Sequence, residues 1–261
     1  MGGWNPSQYL KYAGPRLRPA LDLIERDRAA FGGGPAPRAI FDLGCGTGNM
    51  KRLLGERWPA AELTGVDGSA DMLARARASN IGASWMEADL GDWAPPAPPD
   101  LLYSNAALQW LDGHEALFPR LMGCLAKGGV LAVQMPRTPR RAVPRPDGRC
   151  RPGRPVAATA EDGAGPVPPV APPETYYDIL APVARHLEIW ESVYLHVVEG
   201  DDPVVEWTKT TGFRPLLDAL DGAERDRLLE DYRARIAKAY PKRADGKTLF
   251  PFRRIFIVAG R

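Results

Sequence analysis

Three glycines at alternate positions, Gly44, Gly46 and Gly48, follow the apolar run Ala39-Ile-Phe-Asp-Leu43 and precede Asn49 and a helical pattern. Residues without a β-carbon let the chain turn sharply, and they let a ligand lie against peptide N–H groups at a helix N-terminus. The stretch therefore reads as strand, tight turn, helix, the arrangement that cradles a nucleotide-sized ligand. Two more apolar runs end in acids, Ala61-Glu-Leu-Thr-Gly-Val-Asp67 and Ala83-Ser-Trp-Met-Glu-Ala-Asp89. An acid at the tip of a second strand, about 20 residues past a glycine turn, accepts hydrogen bonds from both hydroxyls of a ribose. The competing reading of Asp67-Gly-Ser-Ala-Asp71 is a helix cap.

The spacing also excludes a ligand. A dinucleotide fingerprint needs glycines at i, i+2 and i+5, the last for close helix–strand packing. Counted from Gly44 the third place is Asn49, and counted from Gly46 it is Lys51, so a nicotinamide-dependent enzyme is disfavoured.

The elements that must hold these residues follow from periodicity. An amphipathic helix is expected from the apolar spacing of Leu17, Leu21, Leu23 and Ile24, ending at Gly32-Gly-Gly34, with Trp4, Tyr9 and Tyr12 ahead of it either packed on the sheet or closing over the ligand as a flap. A helix over 49–57 stops before Pro59, and another runs through Met72, Leu73 and Ala76. Asp100-Leu-Leu-Tyr-Ser-Asn105 is a fourth strand and Val130-Leu-Ala-Val-Gln-Met-Pro136 a fifth, apolar enough to be covered on both faces. Ligands of open α/β sheets sit beyond the carboxyl ends of the strands, so Ser104, Asn105, Gln109 and Trp110 are expected to face the crevice. His114 opens the next helix and reads as a surface residue.

At Arg137 the composition changes. To Pro173 there are seven arginines against three acids and ten prolines, with few large apolar side chains, which predicts disorder. Order returns with a short helix at Thr175–Leu180, a strand at Leu187–Val198, helices over 202–220 and 223–240, and a last strand at Phe252–Ala259. The expected organisation is a cofactor-binding half at 1–136, an Arg/Pro/Gly-rich insert at 137–173 and a C-terminal half at 174–261. Strands alternating with helices make the fold class α/β with a mostly parallel, doubly wound sheet.

Composition narrows the function classes. The 261 residues, 44% hydrophobic, suffice for one α/β domain with a modest second lobe. A net charge of +2 is too near neutral to indicate a nucleic-acid or membrane-surface binder. Cys45, Cys124 and Cys150 have neither metal-ligand nor disulfide spacing, and no run approaches a membrane span, so a cytoplasmic protein without metal or obligate protein partner is expected.

The form Asp42-Leu-Gly-Cys-Gly-Thr-Gly48 resembles motif I of the S-adenosylmethionine-dependent methyltransferases, in which the loop holds the amino-acid end of a cofactor without phosphates. With Trp4-Asn-Pro-Ser-Gln-Tyr-Leu10, Glu87-Ala-Asp89, Ser104-Asn-Ala-Ala-Leu-Gln-Trp110, Val130–Pro136, Thr175–Leu180, Thr211-Gly-Phe-Arg-Pro215 and Arg254–Ala259, the chain resembles the trans-aconitate 2-methyltransferase family. The resemblance implies a seven-stranded sheet whose last strand enters antiparallel. It also implies methyl transfer from S-adenosylmethionine to a carboxylate of a small tricarboxylate, giving a monomethyl ester and S-adenosylhomocysteine. It places the cofactor on Asp42, Gly44, Cys45, Gly46, Gly48, Asn49, Asp67, Gly68 and Asn105, with Asp89 at the adenine amino group and the Leu90 amide at a ring nitrogen. Tyr9, Tyr12, Arg16, Gln109, Trp110, Arg214 and Arg253 are the acceptor-site candidates, since a tricarboxylate requires cationic or strong donor groups. No acid–base residue is expected, because a carboxylate is already ionised at pH 7. Residues 137–173 depart from the family, as a shifted and later restored reading frame in GC-rich DNA would make them, and leave open another small-molecule methyltransferase or a catalytically impaired cofactor-binding protein.

Overall fold

The structure is a computed structural model, and it describes residues 13–30, 35–79, 84–137, 170–209, 217 and 220–261. The expectations for the Tyr9 and Tyr12 flap, for Arg214 and for most of the Arg/Pro-rich segment fall outside the described residues, as does the side chain of Arg16.

In chain order the elements are α1 (Ala13–Ala30), β1 (Ala39–Leu43), α2 (Asn49–Arg57), β2 (Glu62–Asp67), α3 (Ala70–Ala78), β3 (Ser84–Glu87), β4 (Leu101–Asn105), a 3-10 turn (Leu108–Trp110), α4 (His114–Cys124), β5 (Val130–Pro136), α5 (Pro173–Leu180), β6 (His186–Val198), α6 (Pro203–Lys209), α7 (Gly222–Ala239) and β7 (Thr248–Gly260). The seven strands form one sheet in the order β3-β2-β1-β4-β5-β7-β6. Strands β1 to β5 pair in parallel, with Asp42 level with Gly65 and Tyr103, and Asn105 level with Gln134. The amides of Gly128 and Arg261 donate to Arg261 O (3.2 Å) and Gly129 O (2.9 Å), so the start of β5 meets the end of β7 and β7 runs antiparallel.

The chain forms two compact units. Among the described residues the first comprises 13–30, 35–79, 84–136, 170–191 and 255–261, the second 137, 192–209, 217 and 220–254. Within the first, alternation along the strands decides what each face buries. Phe41, Leu43, Leu102, Leu131 and Val133 share one core with Phe118 and Leu121 of α4 and with Ile255 and Ile257 of β7. Side chains of opposite parity point to the other face, where the Tyr103 hydroxyl donates to Ala20 O of α1 at 3.2 Å. Helices thus cover both faces, the doubly wound arrangement that the β-α alternation predicts. In the second unit Val205, Leu217 and Leu229 are buried together.

Several boundaries move. Helix α1 is described to Ala30, and the glycine run at 32–34 lies outside the described residues; β3 ends at Glu87, so that Asp89 lies in the turn beyond the strand. Of the helix expected over 202–220, Pro203–Lys209 and Leu217 are helical, and residues 210–216, 218 and 219 lie outside the described residues.

Candidate functional site

The glycine loop is built as the spacing requires, and the reason differs at each position. All three glycines are left-handed, with φ of 72° at Gly44, 54° at Gly46 and 80° at Gly48. A β-carbon on Gly44 would lie 2.1 Å from Ala107 Cβ, and one on Gly48 would lie 2.3 Å from Trp85 Cη2, whereas one on Gly46 would meet nothing within 4 Å. Gly44 and Gly48 are thus consumed by packing inside the protein, and Gly46 presents the open face. A sequence motif treats the three alike; the structure does not.

The loop closes on its neighbours through main-chain bonds. Val66 O accepts from Gly44 N (2.8 Å) and Cys45 N (3.1 Å), and Cys45 O accepts from Gly48 N (2.9 Å). Gly46 N donates to Asp67 Oδ2 at 2.8 Å, and Ser69 N donates to Asp67 Oδ1 at 2.9 Å. Asp67 therefore joins the loop to the start of α3, and the cap of α3 is Ser69, whose hydroxyl accepts from Met72 N. Each carboxylate oxygen of Asp67 accepts one of these bonds and has lone-pair capacity for another. The two readings of Asp67 do not compete: it braces the turn and still has acceptor capacity to offer.

Beneath the loop lies a side chain that the spacing argument treated only as a failed glycine. Lys51 is 1% exposed; its Nζ donates to Leu63 O (2.9 Å) and Ser84 O (2.7 Å) and sits 4.1 Å from the Trp85 ring centre. Burial pulls its pKa down to about 8. The signal was present in the sequence, because Lys51 shares its helix face with Leu54 at i+3. Asp42, 2% exposed, is pushed up to about 7 by burial, with the Lys51 cation opposing the shift. Burial also raises the Cys45 thiol to about 12, so at neutral pH Cys45 is packing and not a nucleophile.

At the tips of the strands, unmatched polar atoms gather on one face. Among the described residues, Asp42 Oδ2, Asn105 Oδ1, Gln109 Oε1 and Gln134 Nε2 are buried without a hydrogen-bond partner. Asp42, Asn105 and Gln134 lie on the α1 face, because Asp42 is level with Tyr103, two residues before Asn105, and Asn105 is level with Gln134. Two acceptor atoms and one donor atom on one face suit a group carrying both ammonium and carboxylate. An unmade buried bond costs about 1–3 kcal/mol, so these atoms mark where a polar ligand would restore partners.

Ala106, next along, has a φ of 56°. This conformation is uncommon for a residue with a β-carbon. It is held by Ala106 N donating to Gln134 O (2.8 Å) and by Gln109 Nε2 donating to Ala106 O (2.6 Å). Gln109 thus shapes the turn after β4. Ser104, expected in the crevice, is fully buried with its hydroxyl on Leu43 O at 2.9 Å, tying β4 to β1. Trp110 is 53% exposed. His114 is not the surface residue expected: Nε2 donates to Leu108 O at 2.9 Å, which leaves Nδ1 to accept from the Tyr176 hydroxyl at 2.8 Å, and the ring packs against Phe118.

Asp89 is exposed in the turn after β3, its Oδ1 accepting from Gly91 N at 2.8 Å. Leu90 lies beside the glycine loop, its Cδ1 3.8 Å from where a β-carbon on Gly44 would be. The structure therefore gathers Asp42, the loop, Asp67, Asp89, Leu90 and Asn105 around the carboxyl ends of β1 to β4. Arg253 belongs to the second unit, where its carbonyl accepts from Arg137 N at 2.9 Å. Among the described residues no group of His, Cys, Asp and Glu is placed to hold a metal ion, and no helix is long and apolar enough to cross a membrane.

Residues 40–129 match the methyltransferase domain family. The plantazolicin methyltransferase BpumL, solved with a desmethylPZN analog and SAH, shares the fold at a TM-score of 0.51 and 13% identity, over 98% of this chain and 90% of that one. The sheet order and the family match over residues 40–129 define a methyltransferase domain. The trans-aconitate 2-methyltransferase of Acidovorax ebreus (strain TPSY) is 46% identical over 264 residues, spanning 100% of this chain and 99% of the relative. That of Azoarcus sp. (strain BH72) is 46% identical over 267 residues and the full length of both. The chain belongs to the trans-aconitate 2-methyltransferase family.

Proposed function

We propose that the protein transfers a methyl group from S-adenosylmethionine to a carboxylate of trans-aconitate, releasing the monomethyl ester and S-adenosylhomocysteine. The observation that carries the reading is end-to-end likeness to relatives of that name, at 46% identity over 100% of this chain. The residues present fit the cofactor: an open face at Gly46 and buried, unmatched oxygens on Asp42 and Asn105.

When bound, S-adenosylmethionine supplies the methyl group on a positively charged sulfur. The chain's own part is positioning. Asp42 and Asn105 accept from the ammonium of the aminoacyl end, with Gln134 Nε2 as a neighbouring donor to its carboxylate. Asp67 accepts from the ribose hydroxyls while Gly46 and Ser69 hold it still. Asp89 and the Leu90 amide read the edge of adenine. Gly68 and Asn49 border the cradle. No residue is required to remove a proton, since the acceptor oxygen is anionic at pH 7; rate enhancement comes from holding that oxygen in line at about 3 Å with water excluded. Arg253, and Arg214 and Arg16 with Tyr9 and Tyr12, remain the acceptor-site candidates by charge and resemblance. The acceptor is a small tricarboxylate met in the cytoplasm.

Incubation with methyl-labelled S-adenosylmethionine and a panel of acids, amines and alcohols checks this. Label is expected in an ester of trans-aconitate and absent from the amines and alcohols. Binding of S-adenosylhomocysteine without turnover of any acid would instead favour a catalytically impaired cofactor-binding protein, the reading motivated by the unusual composition of residues 137–173.

Asp42 gives the site a pH dependence. With its pKa near 7, the carboxyl is largely neutral at pH 5.5 and ionised at pH 8, and only the anion attracts an ammonium group. Affinity for S-adenosylhomocysteine is expected to rise about tenfold across that range, and Asp42→Asn to flatten the profile. Stability runs the opposite way. A carboxyl whose folded pKa lies above its unfolded value favours the native state at low pH, and that advantage is lost as pH rises from about 4 to about 7. Ligand-free thermal melts should therefore fall with pH over this window in the wild type and fall less in Asp42→Asn. Calorimetry at the two pH values with equal affinity in the wild type would remove Asp42 from the aminoacyl site.

A further inference from the structure

The turn that carries Asp89 and Leu90 is irregular and mostly exposed, yet a recognition edge must be held within a fraction of an ångström to discriminate. What holds it comes from another element. Arg120 projects from α4, whose Leu117, Phe118, Leu121 and Met122 are buried in the core of the first unit. Its Nη2 donates to Leu90 O and to Gly91 O, both at 2.8 Å, and its Nη1 donates to Trp93 O. Among the described residues Arg120 forms no ion pair, and its hydrogen-bond partners are three main-chain carbonyls of one turn.

Peptide planarity converts those bonds into an orientation for the opposite edge. In a trans peptide the carbonyl of one residue and the N–H of the next point opposite ways. With Leu90 O turned to Arg120, Gly91 N–H is turned to Asp89 Oδ1, the 2.8 Å bond that fixes the carboxylate. With Asp89 O accepting from Trp93 N at 2.9 Å, Leu90 N–H faces away from Trp93. Trp93 is itself immobilised, buried with its ring 5.3 Å from that of Phe41 and its Nε1 donating to Met86 Sδ at 3.2 Å. The guanidinium has a planar fork of five donors and can serve three carbonyls at once, which a lysine cannot do with the same geometry.

We infer that Arg120 is a positioning residue for the purine: by gathering the carbonyls of Leu90, Gly91 and Trp93 it sets the Asp89 carboxylate and the Leu90 N–H at the spacing that distinguishes an amino-purine from an oxo-purine. This rests on the reading of Asp89 and Leu90 as the adenine edge. Arg120 touches no reacting atom, and its effect is on selectivity.

The experiment compares calorimetric affinities for S-adenosylhomocysteine and S-inosylhomocysteine, in which a carbonyl replaces the adenine amino group, for wild type, Asp89→Ala, Arg120→Met and Arg120→Lys. The wild type is expected to prefer the adenosyl compound by about tenfold or more, and Asp89→Ala to abolish the preference. Arg120→Met should lose about tenfold for the adenosyl compound and less than about twofold for the inosyl one, so that the preference collapses, with Arg120→Lys between. General loosening of the fold would weaken both ligands together and keep their ratio. A folded Arg120→Met that keeps the wild-type ratio overturns the inference and leaves the adenine reading standing; if that variant does not fold, the ratio in Arg120→Lys decides in the same way. A wild type with no preference overturns the adenine reading and this inference with it.

Discussion

Replacing Asp67 with alanine is expected to weaken binding of S-adenosylhomocysteine by about 100- to 1,000-fold, measured by calorimetry on the purified protein. A hydrogen bond to a charged group is worth about 1.5–3 kcal/mol, so two ribose hydroxyls on one carboxylate account for about 3 kcal/mol at the low end of that range, before anything else is disturbed. Something else is disturbed, because the same carboxylate accepts from Gly46 N and Ser69 N and so holds the open part of the glycine loop against the start of α3. Asp67→Asn keeps one acceptor oxygen for these amides and removes the charge; a loss of about tenfold is expected, well short of the alanine variant. Since Asp67 is only half-buried, both variants should melt within a few degrees of the wild type. Unaltered affinity in Asp67→Ala would take the ribose away from the tip of β2 and the cofactor reading with it.

Much of this architecture was legible in the chain because the informative residues act locally. Apolar runs closed by Asp42, Asp67 and Asn105 located the ends of β1, β2 and β4. The glycines announced a tight turn. What the chain did not announce depends on partners distant in sequence. Lys51 looked like a misplaced third glycine until Leu63 O and Ser84 O received its ammonium group. His114 looked solvated until Tyr176, 62 residues on, donated to it. Nothing in Ser104-Asn-Ala-Ala107 predicts that Ala106 takes a positive φ, because alanine has no preference for it; the strain is imposed by Gln134 and Gln109. Arg120 is a further case, an arginine on an ordinary amphipathic helix whose three acceptors lie 27 to 30 residues earlier. The acceptor-site residues drawn from resemblance fare differently: Gln109 supports the turn after β4, while Tyr9, Tyr12 and Arg214 fall outside the described residues.

The glycine loop itself separates packing from binding. Gly48→Ala is expected to destabilise the ligand-free fold by about 2–5 kcal/mol, a large share of the roughly 5–15 kcal/mol available to a domain. A left-handed alanine costs about 1–2 kcal/mol, and forcing a methyl group into filled space adds about 1–3 kcal/mol. Trp85 cannot retreat from the new methyl group, because its ring is already hemmed by Lys51 Nζ at 4.1 Å and by Gly65, where a β-carbon would lie 2.7 Å from Trp85 Cε3. Gly46→Ala carries the left-handed cost alone, since nothing lies within 4 Å of its would-be β-carbon, and it should unfold in urea within about 1–2 kcal/mol of the wild type. Its methyl group would instead stand in the face left open for the aminoacyl end, and affinity for S-adenosylhomocysteine should drop about tenfold or more. Urea midpoints and calorimetric affinities of the two variants should thus cross over, one losing stability and the other losing ligand. Wild-type affinity in Gly46→Ala would mean that the open face of the loop is not where the ligand lies, and a stable Gly48→Ala would mean that Trp85 is not clamped against it.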